Sequence, residues 1–178
     1  MKKFYLLGLI VVCVCTLFCS DAYASKKKSS KNRTKTEKKV KTSKKSKKVK
    51  NAIKLTDFKL AQEMAKEKKL PVMLVFAGSD WCGPCQALNR VVFDSAEFKK
   101  WSAKKVVPIL ADFPKRTKQS DDLKAQNAEL KKKYPFSGYP TVMLLTPEGE
   151  IIGKKTGFGK YTAQTYIAEI EKILASKK

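Results

Sequence analysis

Histidine is absent from the 178 residues of this chain, and that absence removes a large part of enzyme chemistry. Without an imidazole, neither a Ser-His-Asp triad nor a Cys-His pair can be built. Acidic residues are also scarce, because 16 Asp and Glu stand against 39 Lys and Arg, which gives a net charge of +23. A charge of that size favours association with anionic surfaces.

The N-terminal segment has the pattern of a secretory signal. Lys2 and Lys3 precede the apolar run 4–18, and Ala22-Tyr23-Ala24 has the small-x-small pattern of a cleavage site. An uncleaved membrane anchor is the alternative, but a spanning helix needs about 20 apolar residues and this run is shorter. We therefore expect residues 1–24 to be removed on export.

Cleavage changes which cysteines remain. Three of the five cysteines precede residue 20, so the predicted mature chain keeps Cys82 and Cys85. With no histidine, two thiols cannot complete a four-ligand zinc site within one chain. The same Cys-x-x-Cys spacing also serves thiol–disulfide exchange, and we expect that chemistry here, with no metal and no cofactor.

Residues 25–50 form a low-complexity arm. Residues 26–50 contain thirteen Lys, one Arg and one Glu, and no aromatic residue. Such a segment cannot bury enough apolar surface to fold, so we expect it to be disordered. It is predicted to act as a solvated linker or to contact an anionic membrane or cell-wall polymer weakly. Specific nucleic-acid binding is the less favoured alternative, because the arm offers no side chain on which bases can stack.

Residues 51–178 have the pattern of one folded domain. Apolar periodicity, caps and turn residues predict alternating helices and strands. The order predicts an α/β fold with a mixed central sheet flanked by helices. The predicted elements are a helix beginning near Phe58, a strand at 70–77, a helix from Pro84, a helix at 96–104, a strand at 106–110, a helix at 121–134, paired strands at 141–145 and 151–152, and a helix at 161–174.

The chemistry is expected at Trp81-Cys82-Gly83-Pro84-Cys85. Cys82 should begin a helix, where free backbone N–H groups stabilise a thiolate, so its thiol pKa should be lowered and it should attack. Cys85, one turn later and less exposed, should be the resolving thiol. Pro84 suits the first helical turn, and Gly83 should permit a tight approach of the loop. Trp81 is expected either to shape the docking surface or simply to pack.

These residues resemble the thioredoxin family. The string 81–85 is identical to that of thioredoxins proper, and Gly138-Tyr139-Pro140-Thr141 matches a second motif, within a resemblance that covers roughly residues 52–178. Segments 92–98 and 111–114 are similar to exported thioredoxin-like proteins of bacterial disulfide pathways, which implies export across the inner membrane into the periplasm. The resemblance implies a thioredoxin fold and a redox-active Cys82–Cys85 disulfide. It also implies a cis Pro140 facing the cysteines, with its backbone and Tyr139 supporting substrate binding.

Two positions depart from the thioredoxin pattern. Phe76 stands six residues before Cys82, where thioredoxins carry a buried Asp, so the proton relay attributed to that Asp must be absent or supplied elsewhere. Asp80 and Asp112 are possible replacements, although we expect both to lie on the solvated surface. Tyr139 precedes Pro140 where thioredoxins carry a small or β-branched residue. Both departures argue against ordinary thioredoxin substrates.

The resemblance favours a reductant of protein disulfides. Gly83-Pro84 is similar to the reducing members of the family, whereas oxidases and isomerases usually carry other residues there. Reduction in an oxidising compartment implies a membrane-embedded thiol donor as partner. Isomerases usually need a dimerisation domain, and we expect a monomer. The alternatives are a disulfide oxidase or isomerase, or a non-catalytic thioredoxin-fold module held on an anionic surface by the arm.

Overall fold

The computed structural model describes residues 52–176, where four strands form one mixed sheet covered by helices on both faces. The predicted signal and arm lie outside the described residues. The elements, in chain order, are α1 (Phe58–Lys68), β1 (Val72–Ala77), α2 (Gly83–Leu88) running into a π-helical turn (Asn89–Phe93), α3 (Ala96–Lys105), β2 (Val107–Asp112), α4 (Asp121–Lys133), β3 (Thr141–Leu145), β4 (Ile151–Thr156) and α5 (Ala163–Ala175).

The sheet has the order β2-β1-β3-β4. β1 pairs in parallel with β2 and antiparallel with β3, and β3 pairs antiparallel with β4. All six residues of β1 are buried, because both faces of this inner strand are covered, as its uninterrupted apolar run predicts. The register brings the last residues of β1, β2 and β4 and the first residue of β3 to one end of the sheet.

Two apolar layers separate the sheet from its helices. Val72, Leu74 and Phe76 alternate toward the layer that contains Ala61 of α1 and Leu130 of α4. Met73, Val75 and Ala77 point the other way, toward the layer that contains side chains of α2, α3 and α5, namely Cys85, Leu88, Phe98, Tyr166 and Ile170. This period-two alternation decides which residues of β1 face the cysteines.

The helix ends and the β3–β4 turn follow the chemistry of single residues. Asp57, Ser95 and Ser120 cap α1, α3 and α4 through side-chain oxygens that accept backbone N–H groups. Gly149 lies at φ +96° in the turn before β4, a conformation that favours glycine. The sequence pattern indicates Ser120 as a cap and the turn at Gly149, but it leaves Thr56 or Asp57 open for α1 and Asp94 or Ser95 for α3; the structure selects Asp57 and Ser95.

The predicted α/β thioredoxin fold is confirmed, with differences at the ends of several elements. β1 begins at Val72 instead of residue 70, and β2 runs to Asp112 instead of residue 110. α5 begins at Ala163 because the Thr162 hydroxyl caps it, whereas the pattern placed its start at Tyr161. β4 extends to Thr156, well beyond the predicted Ile151-Ile152. The π-helical turn after α2 was not predicted. Within residues 52–176, no helix combines the length and apolar character needed to cross a bilayer.

Candidate active site

The cysteine pair lies at the end of β1, where the chain turns into α2. Cys82 is the N-cap of α2, and its sulfur accepts a hydrogen bond from the Cys85 backbone N–H at 3.3 Å. The two cysteines form a disulfide with their Cα atoms 5.3 Å apart, so the structure holds the oxidised state. The sequence thus placed both cysteines correctly relative to the strand and the helix.

The expected difference in exposure between the cysteines is not present. Cys82 and Cys85 are each 5% exposed. The disulfide holds the two sulfurs side by side, and the Cys82 backbone N–H is tied to the Gly78 carbonyl at 2.9 Å. In the oxidised state, each cysteine therefore offers only a small exposed surface to an approaching molecule.

Gly83 and Pro84 occupy the first turn of α2. Pro84 lies where its missing N–H costs no helical hydrogen bond, as predicted. Gly83 differs from expectation, because a Cβ at this position would meet no atom within 4 Å. The expectation that Gly83 permits a tight approach of the loop is therefore wrong for the protein alone. The open space in front of Gly83 is free for another molecule.

The tight approach occurs instead at Gly78, which the sequence did not single out. A Cβ on Gly78 would lie 2.3–2.6 Å from three atoms of the Trp81 indole. The loop closes over this glycine, whose carbonyl accepts the N–H of Cys82 and, at 3.4 Å, that of Trp81. Only glycine allows the indole to lie against the backbone here. The feature of the sequence that could have indicated this role is the position of Gly78 directly after β1.

Trp81 is both packed and exposed. Its Nε1–H donates to the Phe113 carbonyl at 2.7 Å, and its ring meets Tyr139 edge-on with centroids 5.5 Å apart. The Lys115 ammonium lies 4.4 Å from the Trp81 ring centroid. With 38% of its surface still exposed, Trp81 is fixed in place beside Cys82 and also presents a face to solvent.

Pro140 and Tyr139 lie on the loop that enters β3, at the same end of the sheet. The Tyr139–Pro140 peptide bond is cis, and the Pro140 carbonyl accepts the Gly157 N–H at 2.7 Å. Pro140 and Cys85 line one small cavity of about 20 Å³. Partial burial raises the pKa of the Tyr139 hydroxyl above its usual value. The structure therefore brings the two sequence motifs together.

Phe76 does not face the cysteines, which corrects the sequence-based comparison. Its ring stacks on Phe136 at a centroid distance of 4.3 Å, on the sheet face opposite Cys85. Val75 is the residue of β1 that lines the cavity next to Cys85 and Pro140. A count of six residues back from Cys82 therefore selects a residue on the wrong face of the sheet. The loop 78–81 determines which positions of β1 face the cysteines. No Asp or Glu among residues 52–176 lines this cavity.

Asp80 is buried, and the expectation that it lies on the solvated surface is wrong. Its carboxylate accepts the backbone N–H groups of Lys115, Arg116 and Thr117 at 2.9, 2.8 and 2.7 Å. The Arg116 guanidinium also donates to the Asp80 carbonyl. The N–H of Lys115, together with the other two, lowers the pKa of the Asp80 carboxyl to about 2 against the opposing effect of burial. Asp80 thus fastens the loop after β2 to the active-site loop.

Asp112 makes the second such connection and is likewise not a freely solvated carboxylate. One oxygen accepts the Ser79 N–H at 2.9 Å, and the other accepts the Ser79 hydroxyl at 2.6 Å. The Gln86 amide of α2 donates to the Ser79 carbonyl at 3.1 Å. Ser79 and Gln86 were not singled out from the sequence, and Asp112 was considered only as a possible proton relay, because these contacts join distant segments. Together they fix the loop that carries Trp81 and Cys82.

Known proteins are similar to this chain in sequence and fold. The profile of the thioredoxin-like family matches residues 52–147. The disulfide bond reductase DsbH of Chlamydia pneumoniae is 29% identical over 114 residues, which cover 64% of this chain and 68% of that protein. The thioredoxin-related protein DsbJ of the same organism is 34% identical over 106 residues, 60% of this chain but only 30% of DsbJ.

The solved structures agree with the sequence comparison. A structure titled DsbH oxidoreductase superposes with a TM-score of 0.65 at 26% identity and covers 71% of this chain and 87% of that one. The similarity to thioredoxin-like proteins of bacterial disulfide pathways, expected from segments 92–98 and 111–114, is thereby confirmed. Because the family profile spans more than half of the sequence, the chain belongs to the thioredoxin-like family, and its domain is of the thiol–disulfide oxidoreductase type.

Proposed function

We propose that this chain is an exported reductant of protein disulfides that acts through Cys82 and Cys85. The observation that carries the proposal is the position of the pair. Cys82 caps α2 at the end of β1, bonded to Cys85 and beside the loop that carries Pro140. This arrangement suits a dithiol that opens and closes as it exchanges with a substrate disulfide.

Cys82 is the attacking thiol in this proposal. Its sulfur already accepts the Cys85 N–H, and the first-turn N–H groups of a helix stabilise a negative charge at that position. The Cys82 thiolate attacks one substrate sulfur, a mixed disulfide forms, and the other substrate sulfur leaves as a thiolate. Trp81, Gly83 and Tyr139 border the path by which the substrate reaches this sulfur.

Cys85 resolves the mixed disulfide. After losing its proton, its sulfur attacks Cys82, the Cys82–Cys85 disulfide forms, and the substrate leaves with its second thiol. Two electrons and two protons pass to the substrate, and the protein ends in the oxidised state that the structure holds. A donor must then return two electrons, and we propose a membrane-embedded thiol protein for this step.

The reducing direction rests on the residues between the cysteines. Gly83-Pro84 is the pair of the reducing members of the family, and one relative carries the name disulfide bond reductase. The neighbouring Val75 offers the cysteines no carboxylate, so proton transfer to and from Cys85 must use other groups or solvent. Tyr139, at a position where thioredoxins carry a small or β-branched residue, should alter substrate docking, so we expect substrate choice to differ from that of ordinary thioredoxins.

The remaining parts of the chain complete the proposal. Residues 1–24 are the cleaved signal, residues 25–50 are the Lys-rich arm, and residues 51–178 are the thioredoxin-like domain, which works as a monomer in the periplasm. The arm keeps the domain near an anionic surface through weak, salt-sensitive contacts. It carries no specific nucleic-acid function.

Insulin reduction by dithiothreitol tests the activity. Wild-type protein should accelerate the precipitation of the insulin B chain well above dithiothreitol alone, and Cys82→Ser should return the rate to that background. Deletion of residues 26–50 is the matched control, because it removes most of the excess charge and leaves the cysteines intact. Equal rates for wild type and Cys82→Ser would refute the enzymatic role. A function in cells that survives Cys82→Ser but is lost with the arm would support the non-catalytic module.

A further inference from the structure

The end of the sheet that carries the cysteines is strongly biased in exposed charge. Four loops meet there: 78–82 after β1, 113–120 after β2, 134–140 before β3 and 157–162 after β4. These loops contain four exposed cations, Lys115, Arg116, Lys118 and Lys160. Asp80 is the one acidic residue within them, and Asp112 lies at the end of β2.

Neither carboxylate offsets these cations at the surface. Asp80 is buried and occupied by three backbone N–H groups of the loop 113–120. Asp112 is occupied by the N–H and hydroxyl of Ser79. The exposed charge within these loops is therefore positive, with three cations in the loop 113–120 and one in the loop 157–162, and the exposed carboxylates nearest in the chain are Asp121 and Asp122 at the start of α4.

One of these cations lies over the ring of Trp81, the residue directly before Cys82. The Lys115 ammonium lies 4.4 Å from the centroid of the Trp81 ring, and this ring in turn packs edge-on against Tyr139. The Asp80 carboxylate accepts a hydrogen bond from the Lys115 backbone N–H, and the Trp81 indole N–H donates one to the Phe113 carbonyl. Trp81, Lys115 and Tyr139, here called the active-site rim, are thus held in position before a substrate arrives.

We propose that the active-site rim selects acidic polypeptides, so that a cysteine flanked by Asp or Glu is reduced in preference to one flanked by Lys. This inference rests on the proposed reductase function and adds its substrate class. The substrate backbone passes over the space in front of Gly83, and its flanking carboxylate pairs with Lys115 while its apolar atoms rest on Trp81 and Tyr139. Complementary charge acts on encounter and orientation, so the preference should weaken with salt.

Three peptides test the preference. They are identical except that Asp, Ser or Lys stands on both sides of a single cysteine, and each is supplied as its disulfide-linked homodimer. The reduced full-length protein is mixed with each peptide at low salt, and the released peptide thiol is followed by chromatography after acid quenching. Dividing each rate constant by that of dithiothreitol with the same peptide removes the intrinsic effect of flanking charge on the disulfide.

The expected result is a rate for the Asp peptide at least about threefold above that for the Lys peptide. Lys115→Glu should lower this Asp-to-Lys ratio about threefold to tenfold, because the rate for the Asp peptide should fall while the rate for the Lys peptide rises. Lys115→Arg keeps the charge and should keep the ratio. Lys104→Glu, the matched control, makes the same charge change at the far end of the domain, next to the start of β2, and should also keep the ratio. The arm is present in every variant.

The outcomes separate the two proposals. If the Ser peptide is reduced no faster by wild type than by Cys82→Ser, the reductase function itself fails. If the Ser peptide is reduced but the Asp and Lys peptides react equally, the acidic preference is overturned. The preference is also overturned if Lys104→Glu lowers the ratio as much as Lys115→Glu does, since the effect then belongs to overall charge. Three results together support the inference: Lys115→Glu lowers the Asp-to-Lys ratio, Lys104→Glu leaves it unchanged, and high salt brings it closer to one.

Discussion

Gly78→Ala should displace Trp81 and weaken the domain. The added Cβ would lie 2.3–2.6 Å from three indole atoms, a separation at which the ring must move. Moving the ring breaks the Nε1–H hydrogen bond to Phe113, worth about 1 kcal/mol, and the edge-on contact with Tyr139, worth about 0.5–1.5 kcal/mol. Losing the Lys115 contact adds about 0.5–1 kcal/mol.

The partial exposure of Trp81 lowers this sum, because a freed indole N–H can donate to water. We therefore expect the free energy of unfolding to fall by about 1–3 kcal/mol. Urea unfolding measures the fall, and fluorescence reports the ring itself when Trp101, the second of two tryptophans, is replaced by Phe in both proteins. The emission of Trp81 should shift toward that of a solvated indole.

Gly83→Ala is the matched control for this substitution. The same methyl group is added five residues later, where no atom lies within 4 Å, so stability should stay unchanged or rise by up to about 1 kcal/mol. Equal losses of stability in the two variants, or an unshifted Trp81 emission in Gly78→Ala, would contradict the packing described for the active-site loop.

Three further predictions concern the residues around the site. Because folding lowers the pKa of Asp80, its carboxylate stabilises the fold at pH values above the ordinary carboxyl pKa, and this stability is lost as the pH falls toward 2. Asp80→Asn should therefore flatten the pH dependence of the urea midpoint between pH 6 and 2.5. Tyr134→Phe removes the buried hydroxyl that donates to the Gly149 carbonyl, so unfolding should need about 1 kcal/mol less, with insulin reduction unchanged. Cys85→Ser should accumulate a substrate mixed disulfide on Cys82, visible by mass spectrometry, and its absence would exclude Cys85 as the resolving thiol.

The fold was largely predictable because its patterns are local. The continuous apolar run of β1, the caps at Asp57, Ser95 and Ser120, and the glycine turn at Gly149 each act within a few residues. The cysteine pair and its place between a strand and a helix followed in the same way.

The surroundings of the cysteines were less predictable, because they depend on distant contacts. Nothing near Asp80 in the sequence shows that its partners begin 35 residues later, so it was expected on the solvated surface. The facing of Phe76 and Val75 depends on how the loop 78–81 connects β1 to α2, which a residue count does not capture. The spaces around Gly78 and Gly83 likewise depend on where the Trp81 ring lies.

The reduction potential of the Cys82–Cys85 pair tests the proposed reductase most directly. The full-length protein would be equilibrated in graded mixtures of reduced and oxidised dithiothreitol and of glutathione, and its dithiol fraction counted by alkylation and mass spectrometry. We expect a potential near that of strong thiol reductants, about −270 mV. A value near that of dedicated oxidants, about −120 mV, would contradict the reducing direction and make the chain a disulfide donor.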